Sequence, residues 1–261
     1  MKVSPEIGSF RELPSNKKVY FASDFHLGAP NEEESLAREH KIIKWLQHIS
    51  NDAAAIFLVG DVFDFWFEYK STVPKGFIRF QGKLAELRDR GIPIILFTGN
   101  HDMWLFDYFP SHLDIPVIKK PIEFKIGDTA FLVGHGDGLG PGDHLFKITK
   151  GVFSNRLMQW FFQWIHPNIG VWVAKYWSKK SRDFSDQRNQ PFDEKKERLL
   201  SYCKSIESSE HHDLYIFGHR HLPLELSVSD NSTYFNLGEW MNHCTYLEFD
   251  GKETTLKTFE G

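Results

Sequence analysis

Five short stretches of this 261-residue chain carry side chains that can hold a divalent cation: Asp24-Phe25-His26, Gly60-Asp61, Gly99-Asn100-His101-Asp102, Gly134-His135-Gly136-Asp137 and Gly218-His219-Arg220-His221. Their donors are carboxylate and amide oxygens with imidazole nitrogens and no thiolate, a set that suits hard-to-borderline metals. For His26 or His135 alone, a hydrogen-bonded structural histidine would be the better reading; the set as a whole supports ligation. Asp24, His26, Asp61, Asn100, His135, His219 and His221 are more donors than one ion with open positions requires. Two ions about 3.5–4 Å apart, bridged by a carboxylate, would use them all, and Asp61, central in the series, is the expected bridge. Such ions lower the pKa of water toward neutrality and leave the site positive for a phosphate anion.

These donors lie far apart in the chain, so the elements before them must bring them together. Each stretch follows an apolar run rich in β-branched or aromatic residues, as buried strands are: Val19 to Ala22, Ala55 to Val59, Ile92 to Phe97, Thr129 to Val133 and Leu214 to Phe217. Between the early runs lie Glu32 to Ile49 and Phe77 to Arg90, with apolar residues at helical spacings of three and four. This βαβα alternation predicts an α/β fold with a largely parallel sheet, whose strands present their carboxyl ends along one edge. The glycines beside the donors fit sharp turns and close approach. After residue 217, Thr233 to Leu237, Thr245 to Phe249 and Thr254 to Phe259 read as an antiparallel section closing the fold.

Residues 144–182 fit neither pattern. They are crowded with Phe153, Leu157, Met158, Trp160, Phe161, Phe162, Trp164, Ile165, Trp172 and Trp177, broken at His166-Pro167-Asn168. Two short helices separated by a turn are expected, inserted between the fourth and fifth core strands. The insert reads either as a cap packed on the protein's own core or a subunit interface, or as a lid that meets acyl chains.

The formal charge of −4 provides no global field for collecting nucleic acid, so no nucleic-acid partner is expected. Two cysteines, Cys203 and Cys244, are too few for a disulfide framework and suggest a reducing compartment. Residues 1–18 lack the apolar core of a secretory signal, and no run reaches the ~18 apolar residues of a membrane span. A soluble or peripherally attached protein is the expectation.

The ordered motifs Asp-x-His, Gly-Asp-x-x-Asp, Gly-Asn-His-Asp, Gly-His-Gly-Asp and Gly-His-x-His, spanning residues 24 to 221, resemble the signature of the calcineurin-like metallophosphoesterases. The resemblance implies a layered α/β (α+β) fold in one domain over 1–261, with two mixed β-sheets sandwiched between helices and a helical cap insert at 144–182. It implies that Asp24, His26, Asp61 and His221 hold one metal, while Asp61, Asn100, His135 and His219 hold the other. His101 would lie beside the phosphate, stabilising charge or protonating the leaving group, with Asp102 orienting it. Asp64 and Asp137 are expected to orient ligands or cap turns. Mn2+ is the first expectation for the two divalent ions, and Fe2+ or Zn2+ would accept the same donors.

Within that superfamily the chain is similar to the UDP-2,3-diacylglucosamine diphosphatases of lipid A biosynthesis, through Ser23-Asp24-Phe25-His26-Leu27-Gly28, Gly60 to Trp66, His135 to Leu139 and Leu237-Gly238-Glu239-Trp240. This implies cleavage of a lipid-linked nucleotide to UMP and a diacylglucosamine 1-phosphate. The place would be the cytoplasm, with peripheral contact at the cytoplasmic face of the inner membrane. Asn100, His101, Lys175, Ser178, Lys179 and Arg182 are the expected substrate-binding residues. The chain departs from the best-known members of that family, which carry Arg where His101 stands. His101 is equally at home in a general phosphomonoesterase or phosphodiesterase, which is the alternative. A metallophosphoesterase fold that has lost its chemistry and serves as a binding scaffold is a third reading, against which the complete ligand set argues.

Overall fold

The computed structural model describes residues 12–142, 144–173 and 192–261. Its strands form two mixed sheets. The first contains β1 (Lys18–Ala22), β2 (Ala53–Val59), β3 (Ile94–Phe97), β4 (Val117–Ile118), β10 (Thr245–Phe249) and β11 (Thr254–Thr258), in the order β11-β10-β1-β2-β3-β4. The second contains β5 (Ile122–Ile126), β6 (Thr129–Gly134), β7 (Leu214–Phe217), β8 (Pro223–Ser229) and β9 (Ser232–Leu237), in the order β5-β6-β7-β9-β8. β1 to β4 run parallel, as do β6, β7 and β9, while β5, β8, β10 and β11 are antiparallel to their neighbours.

The single largely parallel sheet read from the βαβα alternation is therefore two sheets, as the family resemblance implied. The expected C-terminal antiparallel section is also divided: β9 joins the second sheet beside β7, whereas β10 and β11 extend the first. Strand alternation explains why two sheets form, because residues on both faces are apolar and each face needs a cover. In β1, Val19 and Phe21 join the core between the sheets, while Tyr20 and Ala22 join the core beneath the helices. Phe21, Phe57, Phe124 and Phe131 stack between the sheets with successive centroids 4.8–6.2 Å apart. Part of the unusual aromatic content is used there.

Helices α1 (Glu32–Ile49) and α2 (Ile78–Asp89) cover the outer face of the first sheet, and α3 (Tyr108–Leu113) follows the β3 loop. Asn31 caps α1 by accepting from the Glu34 N–H, with Glu32, Glu33 and Glu34 in the favourable first turn. Its buried stripe, Ile42, Trp45, Leu46 and Ile49, has the spacing of one helical face.

Between β6 and β7 lie α4 (His144–Phe153), α5 (Arg156–Gln163) and helical residues 167–173. Among the described residues, the two expected helices are three helical pieces. The additional break falls at Asn155, whose side chain accepts the Leu157 N–H and starts α5, and Pro167 opens the next helix, where its missing N–H costs nothing. Phe162 anchors this insert, with its ring 4.6 Å from Phe67 and 4.7 Å from Trp104, and the Trp104 indole N–H donates to the Phe153 carbonyl at 2.8 Å. Other large side chains of the insert are exposed, Trp164 to 75% and Trp172 to 69%. The chain re-enters the core at α6 (Arg198–Glu207), which covers the second sheet through Leu199, Leu200 and Cys203.

Candidate metal centre

The carboxyl ends of β1, β2 and β3 in one sheet and of β6 and β7 in the other meet at one end of the molecule. Asp24, His26, Asp61 and His221 converge there, with one donor atom of each within 4.8 Å of the others, and Asp61, His135 and His219 form an adjoining group by the same measure. Asp61 belongs to both, as a bridge must. Its Oδ2 lies 3.3 Å from His135 Nε2 and 3.9 Å from His26 Nε2. Asp24 Oδ1 is 3.2 Å from His221 Nε2, and the His26 and His221 Nε2 atoms approach to 3.0 Å.

Each carboxylate is held by one oxygen and leaves the other for the centre. Asp24 Oδ2 accepts the His219 N–H at 3.0 Å, and Asp61 Oδ1 accepts the His101 N–H at 2.8 Å. The remaining Asp24 Oδ1 and Asp61 Oδ2 are buried and make no hydrogen bond, as are Asn100 Oδ1 and His135 Nε2. Such orphaned polar atoms are costly unless something pairs with them. His135 Nδ1 donates to the Val59 carbonyl at 2.9 Å, since a carbonyl can only accept, and this tautomer turns the Nε2 lone pair inward. The donors present therefore fit divalent cations.

The local electrostatics point the same way. Burial would raise the Asp24 and Asp61 carboxyls, but the neighbouring imidazoles outweigh it and hold both below the ordinary range. Burial would lower His26, yet Asp24 and Asp64 beside it raise it to about 10. His219, buried and next to His135, falls to about 4 and stays neutral. Without metal this pocket retains protons to balance its acids; cations would replace them.

The backbone is shaped to make this convergence. Asp24, His26, Asp61, His219 and His221 all have positive φ, between 44° and 69°. Each such conformation costs a non-glycine residue roughly 1–3 kcal/mol, and strain of this kind gathers at functional sites. Two glycines leave room: a Cβ on Gly99 would come within 2.6 Å of the Asp61 backbone nitrogen, and one on Gly218 within 2.5 Å of Asp24 Oδ2. Neither has a positive φ, so close approach explains them.

His101 lies beside the centre, its ring 4.8 Å from that of His26, and burial lowers its pKa. The expectation that Asp102 orients it needs correction. Asp102 accepts from the Gly99, Val62 and Phe63 N–H groups at 2.7, 2.8 and 3.3 Å, locking the loops after β2 and β3 together. His101 Nδ1 instead faces the Asp64 carbonyl at 3.1 Å and its carboxylate at 3.7 Å. Asp64 also lies 3.7 Å from His26 Nδ1, so its carboxylate stands beside both rings. Asp137 pairs with Lys150 of α4 at 2.6 Å. Lys175, Ser178, Lys179 and Arg182 lie outside the described residues. A separate cluster of Glu123, Glu210 and His212 has two exposed acids and no connection to this centre.

Two mixed sheets with a cation-ready centre at their shared end define a metallophosphoesterase, and residues 17–223 match the model of the calcineurin-like phosphoesterase family. The chain belongs to this family and is a metal-dependent hydrolase. It is 36% identical over 258 residues to the UDP-2,3-diacylglucosamine hydrolase of Porphyromonas gingivalis (strain ATCC BAA-308 / W83), covering 93% of this chain and 98% of that protein. It is 24% identical to the protein of the same name from Vibrio atlanticus (strain LGP32), covering 93% and 98%. Among solved structures, the phosphoesterase Yfce from E. coli aligns with 14% identity and a TM-score of 0.47, covering 93% of each chain.

Proposed function

We propose that this chain hydrolyses the diphosphate of UDP-2,3-diacylglucosamine to UMP and 2,3-diacylglucosamine 1-phosphate, using two divalent ions, Mn2+ first among the candidates. The observation that carries the substrate assignment is the end-to-end match, at 36% identity, to a protein named for that activity. We assign Asp24, His26, Asp61 and His221 to one ion and Asp61, Asn100, His135 and His219 to the other. The orphaned donor atoms and the position of Asp61 in both groups support this division.

When bound, such ions activate water and neutralise phosphate oxygens. The chain's own groups do the rest. Asp61 is fixed by the His101 N–H, so the loops after β2 and β3 keep a common geometry. His101, proposed to contact the scissile phosphate with Asn100, donates its Nδ1 proton to the Asp64 carbonyl and thereby turns Nε2 away from it. There it can stabilise charge on the departing group. A phosphate monoester has a second pKa of about 6 and leaves without needing a proton, so a neutral imidazole suffices.

The insert supports an amphiphilic substrate. Trp160, Phe161, Trp164, Ile165, Ile169 and Trp172 of the insert are exposed, an apolar surface suited to acyl chains or to the cytoplasmic face of the inner membrane. Among the described residues, no helix is long and apolar enough to cross a membrane. Lys175, Ser178, Lys179 and Arg182 are proposed to take the polar head of the substrate.

The test incubates purified protein and Mn2+ with UDP-2,3-diacylglucosamine and follows UMP. UMP release that falls when the acyl chains are removed is the expected outcome. No UMP alongside brisk hydrolysis of a soluble phosphodiester would transfer the chain to the general phosphoesterases.

A further inference from the structure

The loop Gly218-His219-Arg220-His221 holds two left-handed residues on either side of an arginine, with φ of 69° at His219 and 55° at His221. Such a loop keeps its shape only when its surroundings over-determine it. Four backbone restraints are present: Gly218 N–H donates to the His135 carbonyl, Arg220 N–H to the Gly218 carbonyl, His219 N–H to Asp24, and the Asn236 amide to the Gly218 carbonyl. All four act before or at Arg220. A further restraint is the Arg220 side chain, whose Nε donates to Glu197 Oε2 at 2.9 Å.

Glu197 is an unusual anchor. Its side chain is fully buried, whereas that of Arg220 is 47% exposed. Its other oxygen, Oε1, accepts the Leu199 N–H and caps α6. The carboxylate therefore has two fixed partners, and the arginine supplies its only opposite charge at hydrogen-bonding distance among the described residues. The same turn of α6 reaches the other histidine loop, because Leu199 packs where a Cβ on Gly136, next to His135, would approach it to 2.9 Å.

We propose that Arg220 and Glu197 are a positioning pair that holds the His219 to His221 loop in its ligating shape, with the first turn of α6 as the platform. This rests on the reading of His219 and His221 as metal ligands. Partners that orient a ligand are worth about 10–100-fold in metal affinity. Arg220 touches neither phosphate nor metal in this scheme; it acts through the two histidines that flank it.

Mn2+ affinity of the full-length protein, measured by competition with a chromophoric chelator, tests the pair without relying on turnover. Arg220→Ala should weaken Mn2+ binding about 10–100-fold, and Arg220→Lys, which can still reach the carboxylate, should recover part of the loss. Activity of Arg220→Ala should return toward the parent at saturating Mn2+, with KM for substrate little changed. Leu200→Ala loosens the same helix without touching the pair and should leave Mn2+ affinity near the parent. Equal weakening by Leu200→Ala and Arg220→Ala would reduce the pair to a fold contact and overturn the proposal. Unchanged affinity in Arg220→Ala, with weakened affinity in His219→Ala, would remove the pair alone. Unchanged affinity in His219→Ala would remove the ligand reading and this proposal with it.

Discussion

At the scale of residues, function depends on how single atoms are shared. Asp61 gives one oxygen to the His101 amide and one to the centre. Asp61→Ala should abolish turnover and empty at least one metal position while circular dichroism stays native; retained activity would reject the bridge. His101→Ala should lower kcat about 10²–10⁴-fold if its imidazole acts on the departing group. Asp64→Asn should cost about 10–100-fold, since Asp64 rather than Asp102 faces the rings of His26 and His101. In the metal-free pocket His26 titrates at about 10, so protons are bound at pH 7 that a metal must displace. Metal affinity should therefore rise with pH, and calorimetry in buffers of different ionisation enthalpy should detect proton release on binding. The seven ligand candidates were legible because each follows an apolar run at its polar end. Their left-handed backbone was not, since five non-glycine residues in that region contradict local preference and become visible only in the fold. Asp102 was misjudged for a related reason: its neighbour in the chain is His101, but its partners are the Gly99 amide and those of Val62 and Phe63 some 40 residues away.

At the scale of elements, loops must keep backbone close to side chain. Gly218→Ala would press a methyl group against Asp24 and Ser23, and should lower metal affinity together with stability. Phe162→Ala should loosen the insert from Phe67 and Trp104, raising KM for an acylated substrate while hydrolysis of a soluble phosphodiester is spared. The far end of α6 offers a pH test. Burial would raise Glu207, but hydrogen bonds from Ser232, His211 and Tyr215 outweigh it and hold the carboxyl low. Its depressed pKa contributes stability above the ordinary value of 4.5, lost as pH falls below that toward the folded value. The gap in urea midpoint between the parent and Glu207→Gln should be open at pH 7 and narrow below pH 4.5. α1 was readable to its ends from its stripe and acidic start. β5 could have been found from the alternation of Ile122, Phe124 and Ile126, whereas the two-residue β4 carries too few positions for any pattern to register. The missed break at Asn155 lay within an aromatic-rich segment, where composition hides a cap.

At the scale of the molecule, the metal centre belongs to neither sheet alone. Saturating Mn2+ at about 100 times its Kd should stabilise the fold by about 2.7 kcal/mol, or a rise in Tm of roughly 5–10 °C for a chain of this size, reversed by a chelator. That the donors converge was foreseeable from strands read in order; that they converge across a seam was not, because alternation reports a buried face without naming its cover. The seam has a consequence for time as well as strength. Each proposed ion draws donors from both sheets, so it works as a rivet through two plates, and its departure requires donors of both plates to release it. Metal exchange should then be slow and paced by the breathing of the sandwich. Amide protons at the carboxyl ends of β3, β6 and β7 should exchange with deuterium at rates that fall together once the ions are in place.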